Sequence, residues 1–219
     1  MNPATLQLPT QHQLDVAASA FDRDWGGVDE VLYGVCQEHP DHNSIRAVTA
    51  KVALVDRAYS AGFERRVTPP KGQQAITVIA DFVLAHGAEI DRIMARLVPL
   101  NEPLSVDLMT EVVRGHGELT TLLQEVATDG KAPRSFAAKY LHFHCPVVPI
   151  YDGYAAAGLV RCAPWRACET RLPRVPLADV EYGDFCVRFL CLYEACRQAD
   201  LVVTVKSLDA YLWQVPRAS

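Results

Sequence analysis

Residues able to carry chemistry crowd the segment from Arg134 to Asp152: Arg134, Ser135, Lys139, Tyr140, His142, His144 and Tyr151 all precede one aspartate. Pro133 suits the first position of a helix running from Arg134 to about His144, which Cys145-Pro146 ends. Ser135, Lys139 and His142 then lie along one face, with Arg134 on an adjacent face. Val147 to Ile150 must be extended, because Pro149 disfavours the helical region for Val148. Tyr151-Asp152 opens a second helix to about Leu159, so Asp152 sits at a helix N-terminus, where backbone N–H groups and the helix dipole hold it as an anion. Such a carboxylate can stabilise positive charge that develops beside it. A polar stripe ending near a carboxylate results. The competing reading is a solvated helix face and a plain N-cap, with Phe136, Tyr140 and Phe143 as the core face opposite.

The elements that must position this segment are helical almost throughout, and nothing reads as a long alternating strand. A first helix is expected from about Gln11 to Phe21 and a second from Trp25 to Cys36, stopped by Glu38-His39-Pro40. Asn43 or Ser44 caps a third through Phe63, another spans about Gln73 to Leu97, and Ser105 caps one that reaches about Val126 although Gly115 and Gly117 weaken its middle. Helices near Tyr182 to Gln198 and Val205 to Trp213 complete the chain. The terminal one reads as amphipathic, docking Leu208, Tyr211 and Leu212 on the body. The expected fold is all-α, with residues 1–219 forming one helical domain and the chemistry lying in a helix-turn-helix segment near 129–160.

With 219 residues and 50% hydrophobic content the chain can build a sizeable core. A net charge of −5 weighs against a protein that coats nucleic acid through bulk electrostatics. Basic surface must therefore be local, around Arg65, Arg66 and Lys71 or around Arg161, Arg166, Arg171 and Arg174, where solvated loop charges are the simpler reading. No apolar stretch is long enough to cross a bilayer, and the N-terminus MNPATLQLPTQHQLD lacks a basic region followed by an apolar one. Seven cysteines, an odd number, include three beside Phe185, Phe189 and Leu190 on one helix, which fits reduced thiols in a cytoplasm.

The string from Arg134 to His144, followed by Pro149-Ile150-Tyr151-Asp152, resembles the helix-plus-aspartate core of bacterial 8-oxoguanine DNA glycosylase-like proteins of the helix-hairpin-helix DNA glycosylase superfamily. The resemblance covers roughly twenty residues. It implies the glycosylase fold, a base-excision activity in DNA repair, and Asp152 as the catalytic carboxylate. The family's Gly-rich, phosphate-binding hairpin turn corresponds to Asp129-Gly130-Lys131-Ala132-Pro133, which holds one glycine. Members with lyase activity carry a nucleophilic lysine at the position that falls on Arg134 here, and an arginine cannot form a Schiff base. Lys139, on the same helix, is the favoured substitute, and Lys131 is the other.

What the resemblance implies is cleavage of an N-glycosidic bond, in which positive charge grows on the sugar and Asp152 stabilises it. A lysine amine could attack the sugar carbon if burial or a cationic neighbour, here Arg134, keeps part of it unprotonated. Arg134, Ser135, His142, Tyr151, Tyr154 and Trp165 are the expected substrate-binding residues, the aromatic ones stacking on a flipped base. The partner is then DNA carrying a modified base, or a free nucleoside or nucleotide, which the acidic charge suits. A catalytically silent nucleic-acid-binding or interaction module is the alternative from another class. No cofactor is implied. His142, His144 and Cys145 suggest a metal, but the two histidines diverge on the helix and no CxxC pair exists, so no metal is expected. Lys51, Asp56 and Arg57 read as structural, with Asp56 placed to pair with Ser60 or a basic residue.

Overall fold

The computed structural model describes residues 5–217; the first four residues of the N-terminal stretch considered above, and the last two residues of the chain, lie outside it. Among the described residues there are nine α-helices and no strand. They are α1 (Gln11–Glu38), α2 (Ile45–Ala53), α3 (Ala75–Ala85), α4 (Gly87–Leu97), α5 (Val106–Leu123), α6 (Arg134–His144), α7 (Gly153–Cys162), α8 (Val180–Gln198) and α9 (Val205–Gln214). None is long and apolar enough to cross a membrane.

The expected break near residue 22 does not occur. A Thr10–Gln13 capping box starts α1, which continues to Glu38 and packs along α9. Asp22, Arg23 and Asp24 are tolerated there because they face solvent, while Leu14, Ala17 and Leu32 on the same helix are buried. Conversely, the single helix expected over residues 73–97 is two, broken at His86 (φ −100°, ψ 16°). A Cβ at Gly87 would lie 2.5 Å from the His42 carbonyl oxygen, so the backbone of the α1–α2 connection occupies the space a side chain would need. Helix α5 runs unbroken through Gly115 and Gly117 and ends at Leu123.

Helix α2 is also shorter than the periodicity suggests. Ser44 caps it, but after Ala53 it widens into a π-helical turn (Leu54–Ala58), and the chain reverses through Ser60 (φ 51°) and Gly62 (φ 73°). Asp56 is the cause: its carboxylate accepts the backbone N–H groups of Phe63 (2.6 Å) and Glu64 (2.9 Å), offering these amides a partner outside the helix. This corrects the expected Asp56 pairing with Ser60 or a basic side chain.

Helix α6 occupies the middle of the molecule, against α1, α5 and the π-helical turn. Residues Phe136 to Phe143 are all buried, so the polar stripe with Lys139 and His142 is not a solvated helix face. The extended stretch after α6 is held from both sides, by His142 Nδ1 against the Val148 carbonyl (2.8 Å) and by the Tyr182 hydroxyl donating to the Pro149 carbonyl (2.9 Å). Asp152 then caps α7, accepting the Ala155 N–H at 2.8 Å. Helix α7 lies so close to α9 that a Cβ at Gly158 would come within 2.4 Å of the Leu212 carbonyl oxygen. Gly158→Ala is therefore expected to cost about 1–3 kcal/mol, since backbone meets backbone and neither can turn aside. Chemical denaturation would show it as a lower midpoint at unchanged slope.

Candidate active site

Where the N-terminus of α7, the middle of α6, the π-helical turn, α1 and α9 meet, a cavity of about 610 Å³ opens to solvent. Its polar groups are Ser135 and Lys139 of α6, Asp152, Ser60, and Asp209 of α9. Its walls are aromatic: Phe21 and Trp25 from α1, Tyr59, Tyr154 and Trp213. Trp25 and Tyr59 are 5.6 Å apart between ring centroids, and Trp213 meets both Phe21 (6.3 Å) and Tyr154 (6.0 Å) edge-on. Arg217 lies over the Trp213 ring at 3.5 Å and the Tyr154 ring at 4.5 Å, closing one end.

Lys139 is 5% exposed and donates to the backbone carbonyl of Tyr59 at 2.8 Å. The π-helical turn and the left-handed Ser60 present this carbonyl to α6. Burial pulls the lysine below its usual range, and the negative charges of Asp152, Asp209 and Asp56 act in the opposite sense. Asp209 is pushed well above the carboxylate range, first by burial and then by Asp152, with Lys139 opposing and Asp29 adding to the rise. Its Oδ1 is buried without a hydrogen-bond partner, as is the Tyr59 hydroxyl. A buried amine shifted below its usual range and a carboxyl shifted above its own thus share one aromatic-walled space that the helix-capping Asp152 also lines, and perturbed titratable groups gathered in a cleft mark a candidate site for acid–base and nucleophilic chemistry.

Four of the expected binding residues lie elsewhere. Arg134 pairs with Asp179 (2.8 Å) and Glu181 (2.8 Å) and covers Tyr151, whose hydroxyl also bonds Glu181. It is not the cation beside Lys139; burial is what depresses that amine. His142 is buried behind the cavity between the Tyr33 hydroxyl (2.6 Å) and Val148, and burial lowers its pKa to about 4. Trp165 stands on a 3₁₀ turn under Arg171 and lines a separate groove. Lys131 is exposed in a turn clamped by Arg66, which bonds Asp129 and the carbonyls of Lys131 and Ala132. Arg66 is thus a clasp, not a loosely solvated loop charge. His144 packs on His42 and Tyr140 instead of bonding the carbonyls that end α6. The seven cysteines are free and buried, and no metal-holding cluster occurs among the described residues.

The sequence reading overlooked Asp209, the aromatic pair of α1, and Trp213. A signal existed. Asp209 falls between the docking residues Leu208 and Leu212, both fully buried, so a carboxylate was being carried inward on an apolar face, with Trp213 one turn on. Comparison with protein-family models, curated proteins and solved structures found no match to this chain.

Proposed function

We propose that this protein is a DNA N-glycosylase, with an associated lyase step, that removes an oxidised or otherwise modified base such as 8-oxoguanine. The observation that carries the reading is Lys139, a buried amine in an aromatic-walled cavity with Asp152 and Asp209. Lysines are seldom fully buried; Lys51, also buried, donates to the His39 and Asp41 carbonyls, whereas Lys139 has a single backbone acceptor among the described residues and lines the cavity. The cavity volume suits one flipped base with its sugar at the mouth, stacked on Trp213, Trp25 or Tyr154.

In the reading, positive charge grows on the sugar as the glycosidic C–N bond breaks, and Asp152 stabilises it. The unprotonated Lys139 amine forms the new bond to the sugar carbon and then loses a proton. The electron pair of the broken bond leaves with the base, which takes the carboxyl proton of Asp209. The C1′–O4′ bond of the sugar ring then breaks, its oxygen taking up the proton that the amine released, and the Schiff base so formed permits strand cleavage. Ser135 and the Tyr59 hydroxyl are hydrogen-bonding groups for the base or sugar.

The test measures base release from an oxoguanine-containing duplex, from the matching free nucleoside and from a panel of other lesions. Release from duplex is the expected result. Release from nucleoside alone would move the assignment to a small-molecule N-glycosidase, which the net charge of −5 suits. Salt-dependent duplex binding without release from any substrate would leave a binding module.

A further inference from the structure

A second, enclosed space of about 10 Å³ lies behind the main cavity and shares its Asp209 wall. Asp29, His142 and Lys206 also line it. Two carboxyl oxygens from these residues, Asp29 Oδ1 and Asp209 Oδ1, are buried and lack a hydrogen-bond partner. A space of about 10–15 Å³ accommodates one water when two or more polar groups surround it. Both His142 nitrogens bond elsewhere, and Lys206 Nζ holds Asp29 Oδ2 at 2.6 Å.

Asp29 and Lys206 also wall an open cleft on the far side, with Asp22, Glu30 and Tyr33. The Lys206 side chain is 47% exposed, so its ammonium exchanges protons with solvent. Three spaces are therefore arranged in series, from the cavity through Asp209 to the enclosed space, and through Asp29 and Lys206 to the cleft. A base seated in the cavity would cut Asp209 off from solvent on that side. An Asp209 that had given up its proton would then be a second carboxylate beside Asp152 in a poorly solvated site, which is costly.

We infer that one buried water bridges Asp209 Oδ1 and Asp29 Oδ1, and that through it Lys206 resupplies a proton to Asp209 in the same step in which Asp209 protonates the departing base. This rests on the glycosylase reading. In the step, the water passes one proton to Asp209 Oδ1 and takes one from the Lys206 ammonium, which recovers its own from water in the cleft. Asp29 is a positioning residue: it holds the water with one oxygen and the ammonium with the other.

The test joins an atomic-resolution crystal structure of the full chain to single-turnover base release by Lys206→Met, Asp29→Ala and Glu30→Gln. An ordered water within hydrogen-bonding distance of both carboxyls is expected. Lys206→Met and Asp29→Ala should slow the chemical step about tenfold at unchanged KM, as loss of an assisting proton transfer does. Glu30→Gln, which changes the cleft but not the enclosed space, should keep the wild-type rate. A dry space, a water touching one carboxyl only, wild-type rates in both relay variants, or an effect confined to KM would overturn the inference. If the wild-type chain releases no base, the glycosylase reading has failed separately, and the crystal structure alone decides the water bridge.

Discussion

Replacing Lys139 with methionine should remove all measurable base release, a fall on the order of 10³-fold or more, while making the protein harder to unfold. Both effects have one origin. The amine is 5% exposed and its charged form is disfavoured by burial, so the folded state gives up solvation to keep it. Methionine fills nearly the same volume, packs against the aromatic wall and asks for no partner beyond what the Tyr59 carbonyl can lose. Lys139 bonds a backbone carbonyl and is in no ion pair among the described residues, so the desolvation cost of burying its charge is not offset by an opposite charge in contact, and an apolar side chain of similar length removes that cost. A lysine kept for structure would behave oppositely, with methionine destabilising and activity falling only as the fold does. Single-turnover kinetics and thermal unfolding of the same preparation distinguish these outcomes.

Asp152→Asn separates chemistry from architecture in a different way. The side chain caps α7 through the Ala155 N–H, and asparagine caps a helix about as well as aspartate. Stability should therefore change by less than about 0.5 kcal/mol, whereas removal of the carboxylate from the developing sugar cation should slow base release by about 10²- to 10³-fold. Asp152→Ala should show the same kinetic loss plus about 1 kcal/mol of lost stability from the missing cap. Equal rates for wild type and Asp152→Asn would remove Asp152 from the chemistry.

The parts of the site readable from sequence are those fixed by local covalent geometry. Pro133, Pro146 and Pro149 punctuate the chain so firmly that α6, the extended turn and the Asp152 cap all lie where the residues imply. What escaped reading depends on contacts between distant segments. Solvated Asp22 and Asp24 look like a helix end but do not break α1, because α9 supports it along its length. Gly87 looks like an ordinary helical residue until the His42 backbone arrives beside it. The Tyr59 carbonyl is freed by a π-helical turn whose cause, Asp56, reaches forward to Phe63 and Glu64. Arg134 seemed the natural neighbour of Lys139 from spacing alone, yet Asp179 and Glu181, more than forty residues away, draw it aside. Asp209 reaches the cavity only because α9 packs between α1 and α7.

Borohydride reduction during reaction with an oxoguanine-containing duplex, followed by peptide mapping of any protein–DNA adduct, decides whether this cavity breaks N-glycosidic bonds with Lys139 as the nucleophile. The expected result is one covalent adduct, carried by the peptide containing Lys139 and missing in Lys139→Met. An adduct on Lys131, or one that survives in Lys139→Met, would contradict it.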